Sequence, residues 1–554
     1  MFITEVLFFC DVAKVKSRRL AESTFKLLVA VLAVAAVIRG IGLDAQELWF
    51  DECTSVLFCA DPQGILHALR NDTNAPLYFL LLKSWIALFG IEPISLRSLS
   101  LVFGVLQLAV TAAWALELGL SRRVAIWAAF IGSMLPFHIH YSQEARGYPL
   151  TWLLISLALW AFTRAMRRDS RPAMAAHGIA LLAALYAHNL AIWFVPALWI
   201  AALIIRPRRR TWLAFMLTHI VVGMLYVPWF LHLWNQARTG GGTGWILHFW
   251  REASWFTLIP ESLLKLSCGG CIPTRLQQPV LPDAARIVTQ IWTTTLAGGF
   301  AGMFWSKPFA RRTDSRRMLS VLVVLLLAPL LFTLLYSLLV RPIYVVGRYD
   351  TLVYPPLLCM LAIGTDAVCR ALGRFSQPVV VIVAAAVLWA VPGFYMTRLH
   401  LAAGGNTIRK QETRCQILAQ MARPDDLIVC LDLEGLFFAY DLLKRPLTTP
   451  WITFPASTGT HPGWLEFPTP TQNQMEADTV LAHMSRERAS RVWLLFDPQL
   501  MRPDPTLSGD SYSYTEQAFR QSLADHHLAP DDSIELSRAG LQAIGLEVYA
   551  RAQR

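Results

Sequence analysis

The sequence predicts a mostly α-helical, polytopic membrane protein with a small α/β domain at its carboxyl end. Of its 554 residues, 55% are apolar and 16% are charged, whereas a soluble globular protein carries about 25% charged residues. Apolar runs fill the chain as far as about residue 397, and beyond it Pro, Asp and Gln become common. We therefore expect a membrane domain over 1–397 and an extracytoplasmic domain over 398–554.

Eleven apolar segments of the membrane domain predict membrane spans, because a helix that crosses the hydrocarbon core needs about 20 mostly apolar residues. The segments are 25–43, 96–118, 124–139, 149–165, 174–188, 189–205, 211–231, 285–305, 318–340, 352–370 and 378–397. A shorter apolar segment at 75–90 starts beside Pro76 and contains Lys83. We predict that it forms a helix in the outer membrane interface.

The orientation follows from the clusters of Lys and Arg, since cytoplasmic loops carry an excess of both. The clusters are 14–19, 122–123, 164–171, 206–210, 307–317 and 370–374. If all of them face the cytoplasm, the helices between them must come in pairs, and eleven spans with an interfacial 75–90 satisfy this condition. A multi-pass protein of a bacterial inner membrane follows, with a cytoplasmic N-terminus. The net charge of +11 reflects this topology and indicates no nucleic-acid partner.

The first outer loop contains two adjacent acids, Asp51 and Glu52, behind Trp49 and Phe50. One carboxylate could act as a general base that takes a proton from a hydroxyl group. A structural alternative stays open, in which both acids stabilise the N-terminus of an interfacial helix.

Two further outer segments carry charge at membrane depth, where charged groups are costly and tend to be functional. One contains Glu144 and Arg146, and the other contains Arg348 followed by Tyr349. An Arg at this position can hold a phosphate through its planar fork of donors. The alternatives are a local Glu144–Arg146 pair and an ordinary interfacial Arg–Tyr anchor.

Five short motifs occur in this order: Trp49–Glu52, Asn74–Phe79, Leu96–Ser100, Tyr141–Tyr148 and Arg348–Tyr349. Together they resemble the membrane glycosyltransferases of the GT-C superfamily. The likeness is greatest to glycosyltransferase family 39, which includes protein O-mannosyltransferases and the aminoarabinose transferase that acts on lipid A. It covers about residues 25–370.

The resemblance implies that the chain transfers a sugar from a polyprenyl-phosphate-linked donor to an acceptor hydroxyl at the outer, periplasmic face. A single inverting displacement is expected, with a glycan, lipid or protein of the cell envelope as acceptor. Carried over position by position, Asp51 is the expected base, and Glu52 or Glu144 orients it. Arg146, Arg348 and Tyr349 are expected to bind the donor phosphate.

A divalent metal ion is a candidate cofactor, for which Asp51, Glu144 and His188 could supply ligands. The chain departs from the family at Asn74-Ala75-Pro76, where many relatives have a His or an acid. His188 could equally be a structural residue at a helix junction. A multi-span transporter or flippase is the alternative function, although the ionisable groups gather at one face and not at the midplane.

The carboxyl-terminal region shows two buried-strand patterns, at 426–431 and 491–496. Helical spacing appears at 439–444, 474–488 and 515–526. This alternation predicts a small α/β domain, and the absence of a Gly-rich fingerprint argues against nucleotide binding. The closely spaced Cys268 and Cys271 indicate either a structural disulfide or two free thiols.

Overall fold

A computed structural model describes residues 15–238, 246, 250, 254–268, 313–456, 470–487, 491–497, 510–531 and 538–551. The chain forms two compact units. The first comprises residues 1–43, 73–239 and 245–402, and the second comprises 44–72, 240–244 and 403–554. The first outer loop therefore groups with the carboxyl-terminal residues, which the sequence did not suggest.

Helices dominate the described residues, and 3₁₀ turns occur at Leu69–Asn71, Asn189–Trp193 and Tyr349–Val353. In chain order the α-helices are α1 Val15–Gly40, α2 Phe50–Ala60, α3 Ile65–Ala68, α4 Leu77–Phe89, α5 Pro93–Glu117, α6 Arg122–Met134, α7 Pro136–Ser142, α8 Tyr148–Arg168, α9 Arg171–Ala187, α10 Phe194–Ile205, α11 Arg209–Arg238, α12 Leu258–Cys268, α13 Thr313–Leu339, α14 Tyr354–Leu372, α15 Pro378–Met421, α16 Glu434–Lys444, α17 Pro470–Glu487, α18 Asp510–Asp525 and α19 Arg538–Ala543.

The helices of the first unit match the apolar segments of the sequence. Each predicted span that falls on described residues is helical over most of its length, and 285–305 lies outside the described residues. Among the described helices, six are long and apolar enough to cross a membrane, and the bent pair α6–α7 brings the number to seven. The predicted polytopic helical fold is confirmed, while the count of eleven spans stays a prediction. The apolar segment 75–90, which we predict to lie in the membrane interface, is also a helix, α4.

The bend of 66° between α6 and α7 has a chemical cause in Pro136. Proline has no N–H to give to the carbonyl four residues earlier, which is that of Gly132. The Arg39 Nη2 donates to Gly132 O at 2.9 Å and its Nη1 donates to Ser133 O at 3.1 Å. A fully buried guanidinium thus replaces backbone donors at the bend.

Several predicted inner-face basic clusters meet at one end of the helices of the first unit. Two buried acids bind these arginines: Glu117 at the end of α5 binds two from the cluster 164–171, and Asp366 near the end of α14 binds one each from 122–123 and 370–374. The ion pairs are Arg164–Glu117 (3.3 Å), Arg168–Glu117 (2.8 Å), Arg123–Asp366 (3.0 Å) and Arg370–Asp366 (3.1 Å). The shared end supports the prediction that these clusters face the same side, and the assignment of that side to the cytoplasm stays a prediction.

The second unit contains a five-stranded sheet of order β2-β1-β3-β5-β4. Its strands are β1 Leu427–Leu431, β2 Trp451–Phe454, β3 Arg491–Leu495, β4 Leu528–Pro530 and β5 Leu546–Arg551. β1 is parallel to β2 and β3, whereas β5 is antiparallel to β3 and β4. The predicted α/β architecture is confirmed, but sequence periodicity found only β1 and β3. The other three strands were missed because β2 and β4 are short and lie beside or contain Pro, and because Glu547 interrupts the apolar run of β5.

Both faces of this sheet are covered. Val429, Leu494 and Phe519 belong to one apolar core, and Cys430 and Trp493 belong to the other. Helix α2 from the first outer loop packs against α16 of the same unit, which explains why this loop groups with the carboxyl-terminal residues. Cys271 lies outside the described residues, so the two alternatives for Cys268 and Cys271, a disulfide or two free thiols, stay predictions.

Candidate functional site

The segment that contains Glu144 and Arg146 is hydrogen-bonded to helices of the first unit through its backbone and its polar side chains. The Gln143 Nε2 donates to Arg39 O at 3.1 Å and to Ile41 O at 2.9 Å, satisfying carbonyls at the end of α1. The Ser100 Oγ donates to Arg146 O at 3.1 Å. Because α1 and α5 hold its ends, the segment presents its charged residues from a fixed backbone.

The Glu144 carboxylate pairs with a histidine of the preceding turn. Its Oε1 lies 2.9 Å from His140 Nε2, and both side chains are at most 10% exposed. His140 precedes Glu144 by four residues, so α7 and the turn after it bring the two together. A buried pair of this kind explains why an acid is tolerated here, and the catalytic role predicted for Glu144 stays a prediction.

The Arg348 segment forms a tight turn ahead of α14. Gly347 has φ +81°, a conformation that L side chains rarely adopt. Its N–H donates to Asp350 Oδ2 at 2.9 Å, and its carbonyl accepts from the Tyr141 hydroxyl at 2.6 Å. The Arg348 Nε donates to the Tyr148 hydroxyl at 3.0 Å. The guanidinium is therefore held against α8 by a residue 200 positions away in the chain.

A small cavity of about 40 Å³ lies between α4, the start of α8 and the junction after α9. Its lining includes Arg146, Tyr148, His188 and Tyr349. The Arg146 Nη2 donates to Asn74 Oδ1 at 3.3 Å. Asn74 also lines the cavity, so the residue at which the sequence departs from the family pattern contacts a predicted phosphate-binding arginine.

The two predicted phosphate-binding arginines lie at and beside this cavity. Arg146 lines it, and the Arg348 Nε donates to the hydroxyl of Tyr148, another lining residue. The structure thus brings together Arg146, Arg348 and Tyr349, three residues that the sequence placed on two separate outer segments. One guanidinium group at the cavity and a second beside it create a positive potential that favours an anion such as a phosphate.

The two acids of the first outer loop belong to the second unit. Asp51 and Glu52 lie in the first turn of α2, and both are fully buried. The Glu52 Oε2 accepts from the Trp49 N–H at 3.2 Å, as the third residue of a helix does in a capping box. The structural alternative, in which the acid stabilises the N-terminus of its helix, therefore holds for Glu52. Its catalytic role stays a prediction. The role of Asp51 as a base stays a prediction.

The candidate metal ligands have other identified contacts. Glu144 pairs with His140, and His188 uses its Nδ1 to cap the turn Asn189–Trp193. Within the described part of the chain, no group of three His, Cys, Asp or Glu residues is arranged to hold a metal ion. These residues do not fit a metal centre as they stand, so no step of the reaction proposed below passes through one.

Sequence reasoning missed Tyr148, Tyr141 and Asp350 as supports of the site. Tyr148 was part of a motif without a role of its own, and its partner Arg348 is far away in the chain. The one local signal was Gly347 beside Arg348, since a Gly before a functional residue often marks a turn that needs positive φ.

The fold is similar to that of solved structures of one enzyme. The first is ArnT from Cupriavidus metallidurans in the apo state, with a TM-score of 0.58 and 13% identity, and the match covers 96% of this chain and 100% of that chain. The second is the same protein bound to undecaprenyl phosphate, with a TM-score of 0.57 and 13% identity, and the match covers 95% of this chain and 99% of that chain. A partial likeness, with TM-score 0.33 and 18% identity over 42% of this chain and 34% of that one, links it to the S. cerevisiae protein O-mannosyltransferase Pmt1-Pmt2 complex bound to the sugar donor. No family model and no curated protein matches the chain. The chain therefore shares the polytopic helical fold of the two ArnT structures.

Proposed function

We propose that the chain is an integral membrane glycosyltransferase that moves a sugar from a polyprenyl-phosphate-linked donor to an acceptor hydroxyl. The proposed location is the periplasmic face of a bacterial inner membrane. The observation that carries the proposal is the cavity that Arg146 lines and beside which Arg348 is bonded to the lining residue Tyr148. The fold shared with ArnT, which has been solved with undecaprenyl phosphate bound, supports this choice of ligand.

The surroundings of the cavity suit a ligand that is part lipid and part phosphate. Tyr78 and Phe79 of α4 line the cavity, while Leu80, Leu88 and Phe89 of the same helix are exposed. An apolar helix with exposed aliphatic and aromatic side chains favours the membrane interface. A polyprenyl chain could therefore lie in the bilayer while its phosphate reaches the two arginines.

In the proposed reaction, an acceptor oxygen attacks the anomeric carbon of the sugar as the bond from that carbon to the donor phosphate breaks. The electron pair of the broken bond leaves with the polyprenyl phosphate. Arg146 and Arg348 stabilise the charge that develops on this leaving group, and Tyr349 helps to bind it. One displacement inverts the configuration at the anomeric carbon.

The acceptor hydroxyl must lose its proton as the new bond forms. Asp51 is the proposed general base that receives this proton. Glu52 or Glu144 is proposed to orient Asp51, and the carboxylates stabilise positive charge that develops on the sugar. These three assignments rest on the order of the motifs and on the outer segments in which the acids occur.

A strain that lacks the chain tests the proposal whichever sugar is transferred. Mass spectrometry of envelope glycans and glycolipids should reveal one species that loses a sugar, and the wild-type chain should restore it. The Arg348→Gln variant should insert normally and fail to restore it.

The flippase alternative gives a different result. In liposomes that contain the purified chain, a lipid-linked sugar would cross the bilayer without release of polyprenyl phosphate. Transfer of the sugar with release of polyprenyl phosphate supports the enzyme, and movement without release would contradict it.

A further inference from the structure

His188 lies where two helices of the first unit meet. It follows α9 in an extended conformation (φ −158°, ψ 126°) and precedes the 3₁₀ turn Asn189–Trp193. The Leu190 N–H donates to His188 Nδ1 at 3.2 Å. The imidazole therefore serves as the N-cap of this turn, in the way that an Asn or Asp side chain usually does.

This hydrogen bond determines which ring nitrogen carries the proton. A neutral imidazole has one N–H and one acceptor nitrogen, and the hydrogen bond made by one nitrogen sets the state of the other. Because Nδ1 accepts a backbone N–H, the proton belongs on Nε2. His188 thus presents an N–H donor at Nε2 and keeps a neutral ring.

The ring is held in place on several sides. The centroids of the Tyr148 and Tyr349 rings lie 5.6 Å and 5.8 Å from that of His188. The next residue, Asn189, accepts a hydrogen bond from Trp229 Nε1 at 2.9 Å and donates to the Thr73 carbonyl. A donor fixed in this way loses little conformational entropy when a ligand binds.

We infer that His188 is a phosphate-binding residue whose Nε2–H donates to a phosphate oxygen of the lipid-linked donor. The inference rests on the proposed function, since it concerns the same cavity. His188 lines this cavity together with Arg146 and Tyr349, and Nε2 is the ring nitrogen that its cap leaves for a ligand. A neutral donor adds direction to the charge that the two arginines supply. This role differs from that of a metal ligand, which would need Nε2 as an acceptor.

The chain offers a substitution that separates the two functions of the ring. In His188→Asn, the side-chain oxygen can still accept the Leu190 N–H, because Asn is among the best N-cap residues, but the donor that reaches the cavity is lost. In His188→Ala both functions are lost. The probes are undecaprenyl phosphate and undecaprenol, and the measurements are binding to the purified full-length chain and thermal unfolding in detergent.

We expect His188→Asn to bind undecaprenyl phosphate about ten- to a hundredfold more weakly than the wild type, as for the loss of one hydrogen bond to a charged group. Its binding of undecaprenol and its unfolding temperature should stay near the wild-type values. His188→Ala should in addition unfold at a lower temperature. A purely structural histidine would not produce selective loss of the phosphate-bearing lipid.

Three results would overturn the inference. His188→Asn could bind undecaprenyl phosphate as tightly as the wild type while Arg348→Gln binds it weakly, which would leave the proposed function intact and reduce His188 to a cap. A chelator could weaken wild-type binding to the level of His188→Asn, which would assign Nε2 to a metal ion. Failure of the wild-type chain to bind undecaprenyl phosphate would remove the proposed function together with the inference.

Discussion

Two arginines of the first unit donate to backbone oxygens and to a tyrosine hydroxyl at helix ends, whereas a buried carboxylate of the second unit braces its sheet. The arginines are the fully buried Arg39 and the half-buried Arg348. The carboxylate is that of Asp426, which accepts from Arg491 Nη2 at 2.8 Å and from Trp493 Nε1 at 2.9 Å. Each group has partners that offset the cost of its burial. Of these three groups, only Arg348 is hydrogen-bonded to a residue that lines the cavity, Tyr148.

Burial of a charged group therefore does not show by itself whether the role of that group is functional or structural. Glu52 of the second unit looks like a catalytic acid in the sequence, yet it accepts the N–H of Trp49, the N-cap residue of its own helix. Arg348 looks like an interfacial anchor, yet it is hydrogen-bonded to Tyr148, which lines the cavity. The partners of a group and the space beside it distinguish the two cases.

The largest effect is expected at Asp51, which would be a catalytic acid in the unit whose buried Asp426 braces the sheet. Asp51→Asn should lower kcat for sugar transfer by about 10²–10⁴, the usual contribution of a general base, without lowering the unfolding temperature. Asp61→Asn is the matched control, since Asp61 pairs with His67 (3.0 Å) after the same helix. A normal transfer rate in Asp51→Asn would place this acid with the structural ones.

A smaller effect is expected at Arg39, which has a structural role in the unit that contains the cavity. Arg39→Met leaves two carbonyls without their donors, and hydrogen bonds from a charged group each contribute about 1.5–3 kcal/mol. We expect a loss of roughly 3 kcal/mol in the free energy of unfolding. Pro136→Ala restores an N–H for Gly132, so the double variant should be more stable than the sum of the single effects.

The double-mutant cycle is measured by unfolding in detergent, and a coupling of about 1 kcal/mol is expected for groups that share a partner. Arg39→Lys, which keeps the charge but loses the planar fork, is the control and should fall between the wild type and Arg39→Met. Strictly additive effects would show that Arg39 does not compensate for Pro136.

The smallest effect is expected at Tyr148, whose hydroxyl accepts from Arg348 Nε at 3.0 Å. Tyr148→Phe removes this acceptor but keeps the ring, so Arg348 should be held less firmly. A hydrogen bond of about 1 kcal/mol corresponds to a factor of about five, which should appear mainly as a higher KM for the lipid-linked donor. Tyr186→Phe is the control, because the Tyr186 hydroxyl donates to Leu225 O at 2.9 Å elsewhere in the same unit. Equal KM values for both variants would refute a positioning role.

Much of the helical fold was predictable because the bilayer imposes local rules. A spanning segment must satisfy its own backbone hydrogen bonds and must be apolar over a fixed length. The apolar segment 96–118 meets both requirements, because it is observed as the helix Pro93–Glu117. The strands β2, β4 and β5 were not predictable in this way, since β2 and β4 have only three or four residues and adjoin or contain Pro, and β5 lacks the continuous apolar run of β1 and β3. Their pairing with β1 and β3 depends on the sheet as a whole.

The polytopic class, the positions of the basic clusters and the candidate site residues, such as Asp51 and Tyr349, could be predicted from the sequence, because composition and short motifs are local properties. The tertiary structure was needed to show that Tyr148 holds Arg348 beside the cavity that Arg146 lines, and that the first outer loop groups with the carboxyl-terminal residues. Helix packing joins residues as far as 200 positions apart. No local pattern specifies such contacts, because they depend on how whole helices bury their faces against one another.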